Sequence, residues 1–194
     1  MCTTQASFSL LPQRQWTPHL AFPNVRATLS CTTDTLHVRF DVLEPVSCYR
    51  CTCTQDGQPC WQDSCVELFV ASAHGYFNFE CNPLGICLAE FGTSRHSRRP
   101  FLPHQYAQIP RHVLCRATPN QNPCAWALAI DIPLPRIDAH PGDILMGNLY
   151  KCASSANTPH YMAAFPIDTP TPDFHRPEYF APLIAIPSQD LPTP

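Results

Sequence analysis

The amino-acid sequence predicts an all-β protein: an antiparallel β-sandwich of jelly-roll or immunoglobulin-like type, with little helix. Two observations carry that expectation. Twenty-three prolines are spread along the 194 residues; each removes a backbone donor and collides with the preceding turn, so few windows remain in which a helix would persist. Between the prolines lie about nine short runs that alternate apolar and polar side chains, the period of a half-buried strand, at the regular spacing of a sandwich. A chain of this length builds one substantial core. Residues 1–194 therefore read as a single domain, with 1–30 as an irregular leader packed on the sandwich.

In that leader Trp16 and Phe22 are too large to leave in water, and an edge strand is expected near Arg26–Cys31. The segment 35–42, TLHVRFDV, is the plainest strand, with Leu36, Val38, Phe40 and Val42 inward and His37, Arg39 and Asp41 outward. A cysteine-rich loop follows, turning at Gln55–Gln58. Next comes the central pair. Val66, Leu68 and Val70 share one face, opposite Cys65, Glu67 and Phe69; after the His74–Gly75 turn, Phe77, Phe79 and Cys81 point one way and Tyr76, Asn78, Glu80 and Asn82 the other. A third strand is expected around Ile86–Phe91, then a loop with Arg95, Arg98 and Arg99. Further strands are expected at Val113–Ala117, Trp126–Ile132, Gly142–Cys152, Tyr161–Pro166 and Phe180–Pro187, the last after a proline-rich loop from Asp168 to Pro177.

Composition excludes several function classes. The chain is 44% hydrophobic but only 14% charged, with a net charge of -3 and a pI near 6.3; this is no electrostatic footprint for nucleic acid or an anionic membrane. No apolar run is long enough to span a bilayer. The N-terminal MCTTQASFSLLPQRQW lacks the basic and apolar regions of a signal peptide, so the expected setting is cytoplasmic. There the twelve cysteines are expected to be mostly free, acting as small buried hydrophobes. Cys48, Cys51, Cys53 and Cys60 form C-x2-C-x-C-x6-C, a loose match to a zinc knuckle that lacks two separated ligand pairs. Among the basic residues, Lys151 is the single lysine beside eleven arginines.

The functional signal is the amide and carboxylate row on one face of the central strands. A solvated face more usually carries Lys, Arg, Ser or Thr; a row of Asn and Glu behind Trp61 suits a polar, neutral ligand. Pyranose C–H groups pack on aromatic rings while the hydroxyls require hydrogen-bonding partners. Trp61, Glu67, Asn78 and Asn148 are residues of that kind.

The run Trp61–Phe69 with its W-x-x-D-S-x-V-E element, the strand Tyr76–Glu80 with Asn82 and Gly85, the strand Gly147–Lys151, and the late Phe174–Phe180 together resemble the family 9 carbohydrate-binding modules, and especially stand-alone family 9-like bacterial proteins. The likeness spans residues 35–186. It implies a sandwich in which two aromatic rings clamp a sugar, with Trp61 as one ring and Phe174 standing where better-known modules carry Trp. It further implies Glu67 as the acidic contact, Asn78 and Tyr150 at polar contact positions, and His175 beside the second ring. Together with Glu80 and Asn148, these residues form the expected saccharide site. The family's calcium is implied too, but no ligands for it are traceable, so no cofactor is assigned. The expected partner is a mono- or oligosaccharide, and neither the particular sugar nor the oligomeric state is specified. Two other readings compete: a glycoside hydrolase using Glu67 and Glu80 as its carboxyl pair, and a haem-binding DOMON-like sandwich with Met146, Lys151 or His175 as axial ligand.

Overall fold

The structure, a computed structural model, describes residues 3–18 and 22–188. Its strands in chain order are β1 (Thr4–Ser9), β2 (Leu11–Pro12), β3 (Asn24–Cys31), β4 (Thr35–Glu44), β5 (Cys65–Ser72), β6 (Gly75–Cys81), β7 (Cys87–Ser94), β8 (Ser97–Pro100), β9 (Arg111–Cys115), β10 (Cys124–Pro133), β11 (Ile144–Cys152), β12 (Tyr161–Ala163) and β13 (Ala181–Ala185). All their pairings are antiparallel. Among the described residues, helix is confined to one α-helical turn, Pro103–Tyr106, and four short 3-10 segments. The sandwich read from proline content and alternation is the fold observed.

Five strands in the order β1-β3-β4-β10-β9 face a sheet of eight, seven of them in the order β2-β12-β11-β5-β6-β7-β8 and the eighth, β13, pairing β11. The core lies between the sheets. Leu36, Val38, Phe40 and Val42 of β4 and Trp126, Leu128, Ile130 and Ile132 of β10 meet Val66, Leu68 and Val70 of β5, Phe77 and Phe79 of β6 and Leu149 of β11. Each such side chain contributes roughly 1.5–3 kcal/mol by leaving water. Gly147 lets β11 pass β5 closely, since a Cβ there would sit 2.1 Å from the Phe69 carbonyl oxygen.

The N-terminal region differs from the irregular leader expected. Thr4–Ser9 forms an edge strand paired in register with β3, from Thr4 opposite Cys31 to Ser9 opposite Arg26. The strand expected at the edge is therefore interior, between β1 and β4. Only Ala6 and Phe8 of β1 pack on the core, and both remain partly exposed, so a strand of mostly small polar residues left little periodic signal. The arginine-rich segment also departs from a loop: Arg95 and His96 form a two-residue turn, and Ser97–Pro100 pairs back onto β7 as an edge strand. Charged side chains are well suited to such an edge because they discourage further strand pairing.

The inner face carries one polar island. Lys151 of β11 is fully buried, with Nζ 3.0 Å from Glu44 Oε2 at the end of β4. Lys151 Nζ also donates to the Cys152 carbonyl at 3.0 Å and lies 2.8 Å from His160 Nε2. Trp126 Nε1 donates to the other Glu44 oxygen at 2.6 Å. Burial, then Lys151, pushes His160 well below its ordinary pKa; the neutral ring accepts from the lysine at Nε2 and donates from Nδ1 to the Thr158 carbonyl at 3.2 Å. The ion pair thus ties one sheet to the other.

Replacing Lys151 with Met strands a buried carboxylate, and is expected to cost ~3–5 kcal/mol. Adding Glu44→Gln should recover much of that loss, as read from urea-unfolding midpoints of the single and double variants.

Candidate functional site

The site begins at Asp63, a carboxylate with no side-chain exposure. Asp63 accepts from Thr52 N, Thr52 Oγ1 and Cys53 N, each at 2.8 Å, and from Asn82 Nδ2 at 3.1 Å. Burial raises its pKa, but these hydrogen bonds outweigh burial and hold the carboxyl below its usual range. Asn82 Nδ2 also donates to the Cys53 carbonyl, while its Oδ1 accepts from Leu84 N and Ile86 N. One acid and one amide therefore lock the cysteine-rich segment to the β6–β7 turn. Ser64 Oγ extends the lock by accepting from Arg50 N and donating to the Cys48 carbonyl.

This frame projects the 3-10 turn Cys60–Gln62 over the outer face of the larger sheet. The Trp61 carbonyl accepts from Ser154 N at 3.1 Å, fixing the backbone while the indole remains 42% exposed. Beneath it, Glu67 of β5 stands directly opposite Glu80 of β6. Both are buried. Burial, then Cys152, pushes Glu67 well above the ordinary carboxylate range; burial, then Glu67 itself, does the same to Glu80. The Cys152 thiol donates to Glu67 Oε1 at 3.0 Å and Asn78 Nδ2 donates to Glu80 Oε1 at 3.0 Å. Among the described residues, neither the second oxygen of Glu80 nor Ser154 Oγ has a hydrogen-bond partner.

Around this floor lies a cleft of about 290 Å³. Trp61, Ser154 and Tyr161 line it together with the Arg95–His96 turn, Arg98, and Pro172–His175. Its cations are engaged by the protein: Arg98 Nε pairs with Glu90 at 2.7 Å and Arg95 lies 3.5 Å from Asp173. Arg98 Nη1 also points at the His175 ring, 2.7 Å from Nε2, and Tyr76 Oη lies 3.0 Å from His175 Nδ1. Burial, then Arg98, pushes His175 down to about 3, so the imidazole is neutral. The cleft thus offers hydrogen-bonding dipoles and one exposed indole rather than a free net charge.

The sequence model of carbohydrate-binding family 9 matches residues 1–184. The chain belongs to carbohydrate-binding family 9. Among solved structures it is similar to a proposed carbohydrate-binding protein from Bacteroides uniformis, with 26% identity and a TM-score of 0.80 over 93% of this chain and 86% of that one. Two structures of a family 9 module from Caldicellulosiruptor kristjanssonii share the fold. The complex with glucose is 12% identical, with a TM-score of 0.58 over 96% of this chain and 88% of that one. The complex with cellotriose is 10% identical, with a TM-score of 0.56 over 96% and 87%. A comparison with curated proteins finds no match.

In this family 9 chain the expected site residues separate by position. Trp61, Glu67, Glu80, Phe174 and His175 all line the cleft. Asn78, Asn148 and Tyr150 are fully buried and do not line it. Asn148 spans to residue 165, donating to the Phe165 carbonyl and accepting from Phe165 N. Tyr150 Oη donates to the Phe174 carbonyl at 3.2 Å, and the two rings stack at 4.1 Å with planes 5° apart. Phe174 is thus largely covered, with Trp16 and Tyr161 at its other sides. Cys152, Ser154, Tyr161 and Asp173 line the cleft without having been singled out. Cys152 shares one face of β11 with Asn148 and Tyr150, a readable signal; Ser154 lies in the turn after β11 and Tyr161 opens β12, and neither gives one. For the calcium implied by the family, no group of three carboxylates gathers among the described residues.

Asp63→Ala is expected to destabilise the fold by ~3–5 kcal/mol, because several buried donors lose their shared acceptor. Phe174→Ala should cost a comparable ~3–5 kcal/mol, whereas Trp61→Ala should leave the urea midpoint within ~0.5 kcal/mol of wild type.

Proposed function

We propose that the chain is a non-catalytic saccharide-binding protein whose ligand, a neutral mono- or oligosaccharide, enters the cleft between Trp61 and the Phe174–His175 segment. One juxtaposition carries the reading: an exposed indole stands above buried polar atoms without partners among the described residues, Glu80 Oε2 and Ser154 Oγ. Such atoms cost roughly 1–3 kcal/mol each when left unpaired away from water, and sugar hydroxyls supply partners for them. Trp61 is the stacking surface. Phe174, backed by Tyr150, closes the opposite wall, and neutral His175 and Glu67 provide further hydrogen-bonding groups. Since Arg95 and Arg98 are already paired with Asp173 and Glu90, the cleft favours a neutral sugar over an anionic one. Membership of a carbohydrate-binding family supports the ligand class. Of the axial ligands the haem alternative would use, Lys151 faces the sandwich core and is paired with Glu44, Met146 is exposed and does not line the cleft, and His175, which does, faces Arg98.

Calorimetric titration with glucose, cellotriose and a wider panel of neutral and acidic sugars tests the proposal, with tryptophan fluorescence as a parallel reporter. Binding of at least one neutral sugar is expected, and Trp61→Ala should weaken it by ~1–3 kcal/mol. If no saccharide binds, or Trp61→Ala binds as tightly as wild type, the reading is wrong. Release of product from a matching chromogenic glycoside would overturn its non-catalytic part.

A further inference from the structure

We propose that Cys65, Glu67 and Cys152 form a binding site for a soft divalent metal ion, zinc by preference, at the base of the cleft. Each offers one ligand atom, and these atoms all lie within 4.8 Å of one another, with all three residues buried. Two neighbouring strands enforce the grouping: Cys65 and Cys152 are direct partners in the β5–β11 ladder, and Glu67 follows two residues on along the same face of β5. Directly opposed residues bring their side chains together without any loop adjustment, and period-two alternation adds the carboxylate to them. Tetrahedral zinc, with bonds of about 2.3 Å to sulfur and about 2.0–2.2 Å to oxygen, holds its ligands less than about 4 Å apart. Cys152 Sγ and Glu67 Oε1 are already separated by 3.0 Å, so small side-chain rotations would close the set.

The donor chemistry selects the metal. Two thiolates and one carboxylate suit zinc, whereas calcium and magnesium require oxygen ligands. Three protein ligands leave a fourth position, and Glu67 and Cys152 both line the cleft, so that position faces the ligand side. Among the described residues Glu67 has no ion-pair partner; a dication would supply the missing positive charge to a buried acid beside two thiols. Binding releases to solvent the two thiol protons and the proton that burial keeps on the Glu67 carboxyl, as the two metal–sulfur bonds and the metal–oxygen bond form. This site goes beyond saccharide binding, and its test uses no sugar.

The fully reduced, metal-free protein should be titrated with cobalt(II) and then zinc(II). About one equivalent of cobalt is expected to produce thiolate charge-transfer absorption together with the visible bands of a tetrahedral ion, and zinc should displace it. Cys65→Ser and Cys152→Ser should abolish the charge-transfer signal. Cys51→Ser and Cys115→Ser, outside the cluster, should retain it. Glu67→Gln keeps both thiols and the side-chain shape, and should shift the visible bands and weaken zinc; it stands as the test if either serine variant fails to fold. The proposal is overturned if reduced wild type shows no thiolate–cobalt absorption, or if the signal survives in folded Cys65→Ser or Cys152→Ser. Unchanged bands and unchanged zinc affinity in Glu67→Gln would remove the carboxylate from the ligand set.

Discussion

The constraint on which this protein is built is that strands β5, β6 and β11 are buried on both faces. Their inner face meets the smaller sheet through Val66, Leu68, Phe79 and Leu149. Their outer face carries a second packed cluster, with Phe69, Tyr76 and Tyr150 beneath Phe174 and Ile167. An ordinary two-layer sandwich leaves its outer faces to water. Here the cysteine-rich segment and the chain from Tyr161 to Tyr179 roof one of them, so every polar group on that face must find a partner inside the protein or in a ligand. Most do: Asn78 bonds Glu80, Asn148 bonds residue 165, and Tyr150 bonds the Phe174 carbonyl. Asn78 Oδ1, away from the cleft, and Glu80 Oε2 and Ser154 Oγ at it are left without a hydrogen-bond partner among the described residues.

Polar groups in such a place are retained only if their surroundings hold them firmly. Asp63 and Asn82 anchor the roof to the sheet, and the Glu44–Lys151 pair anchors the sheet to its partner layer from the other side. Cys152 follows directly on Lys151, and the lysine ammonium bonds the Cys152 carbonyl. The interior ion pair therefore sets the backbone from which a cleft side chain projects. Lys151, noted in the sequence as the single lysine beside eleven arginines, thus belongs to the support of the site.

Period-two alternation revealed most of the fold, because β4, β5, β6 and β10 each bury a run of apolar side chains on one face. It failed for β1, whose side chains are small and half-exposed, and for β8, whose arginines read as loop while the backbone pairs at an edge. At the site, Trp61 was legible as the first residue of the W-x-x-D-S-x-V-E element, and Glu67 and Glu80 as acids on strands whose other face is apolar. Asn148 and Tyr150 share that face, yet they are consumed by backbone carbonyls that no local pattern announces. Cys65 and Cys152 looked like filler for the core. Their proximity depends on the register between strands roughly eighty residues apart in the chain, and register is set by the whole sheet.

The W-x-x-D-S-x-V-E element shows why fold and recognition can be separated in this chain. Asp63 and Ser64 bond only protein groups, and Val66 packs in the core. Trp61 and Glu67 reach the cleft. Substituting the first set breaks the frame, whereas substituting the exposed Trp61 alters what the frame presents at little cost to stability. Phe174 lies between these classes: it lines the cleft, but its stack on Tyr150 makes it part of the outer cluster, so the far wall is far less free to vary than the exposed indole opposite it. Changes in ligand preference on this scaffold should accordingly arise on the Trp61 side and on the Arg95–His96 turn, where side chains reach the cleft without carrying the packing beneath it.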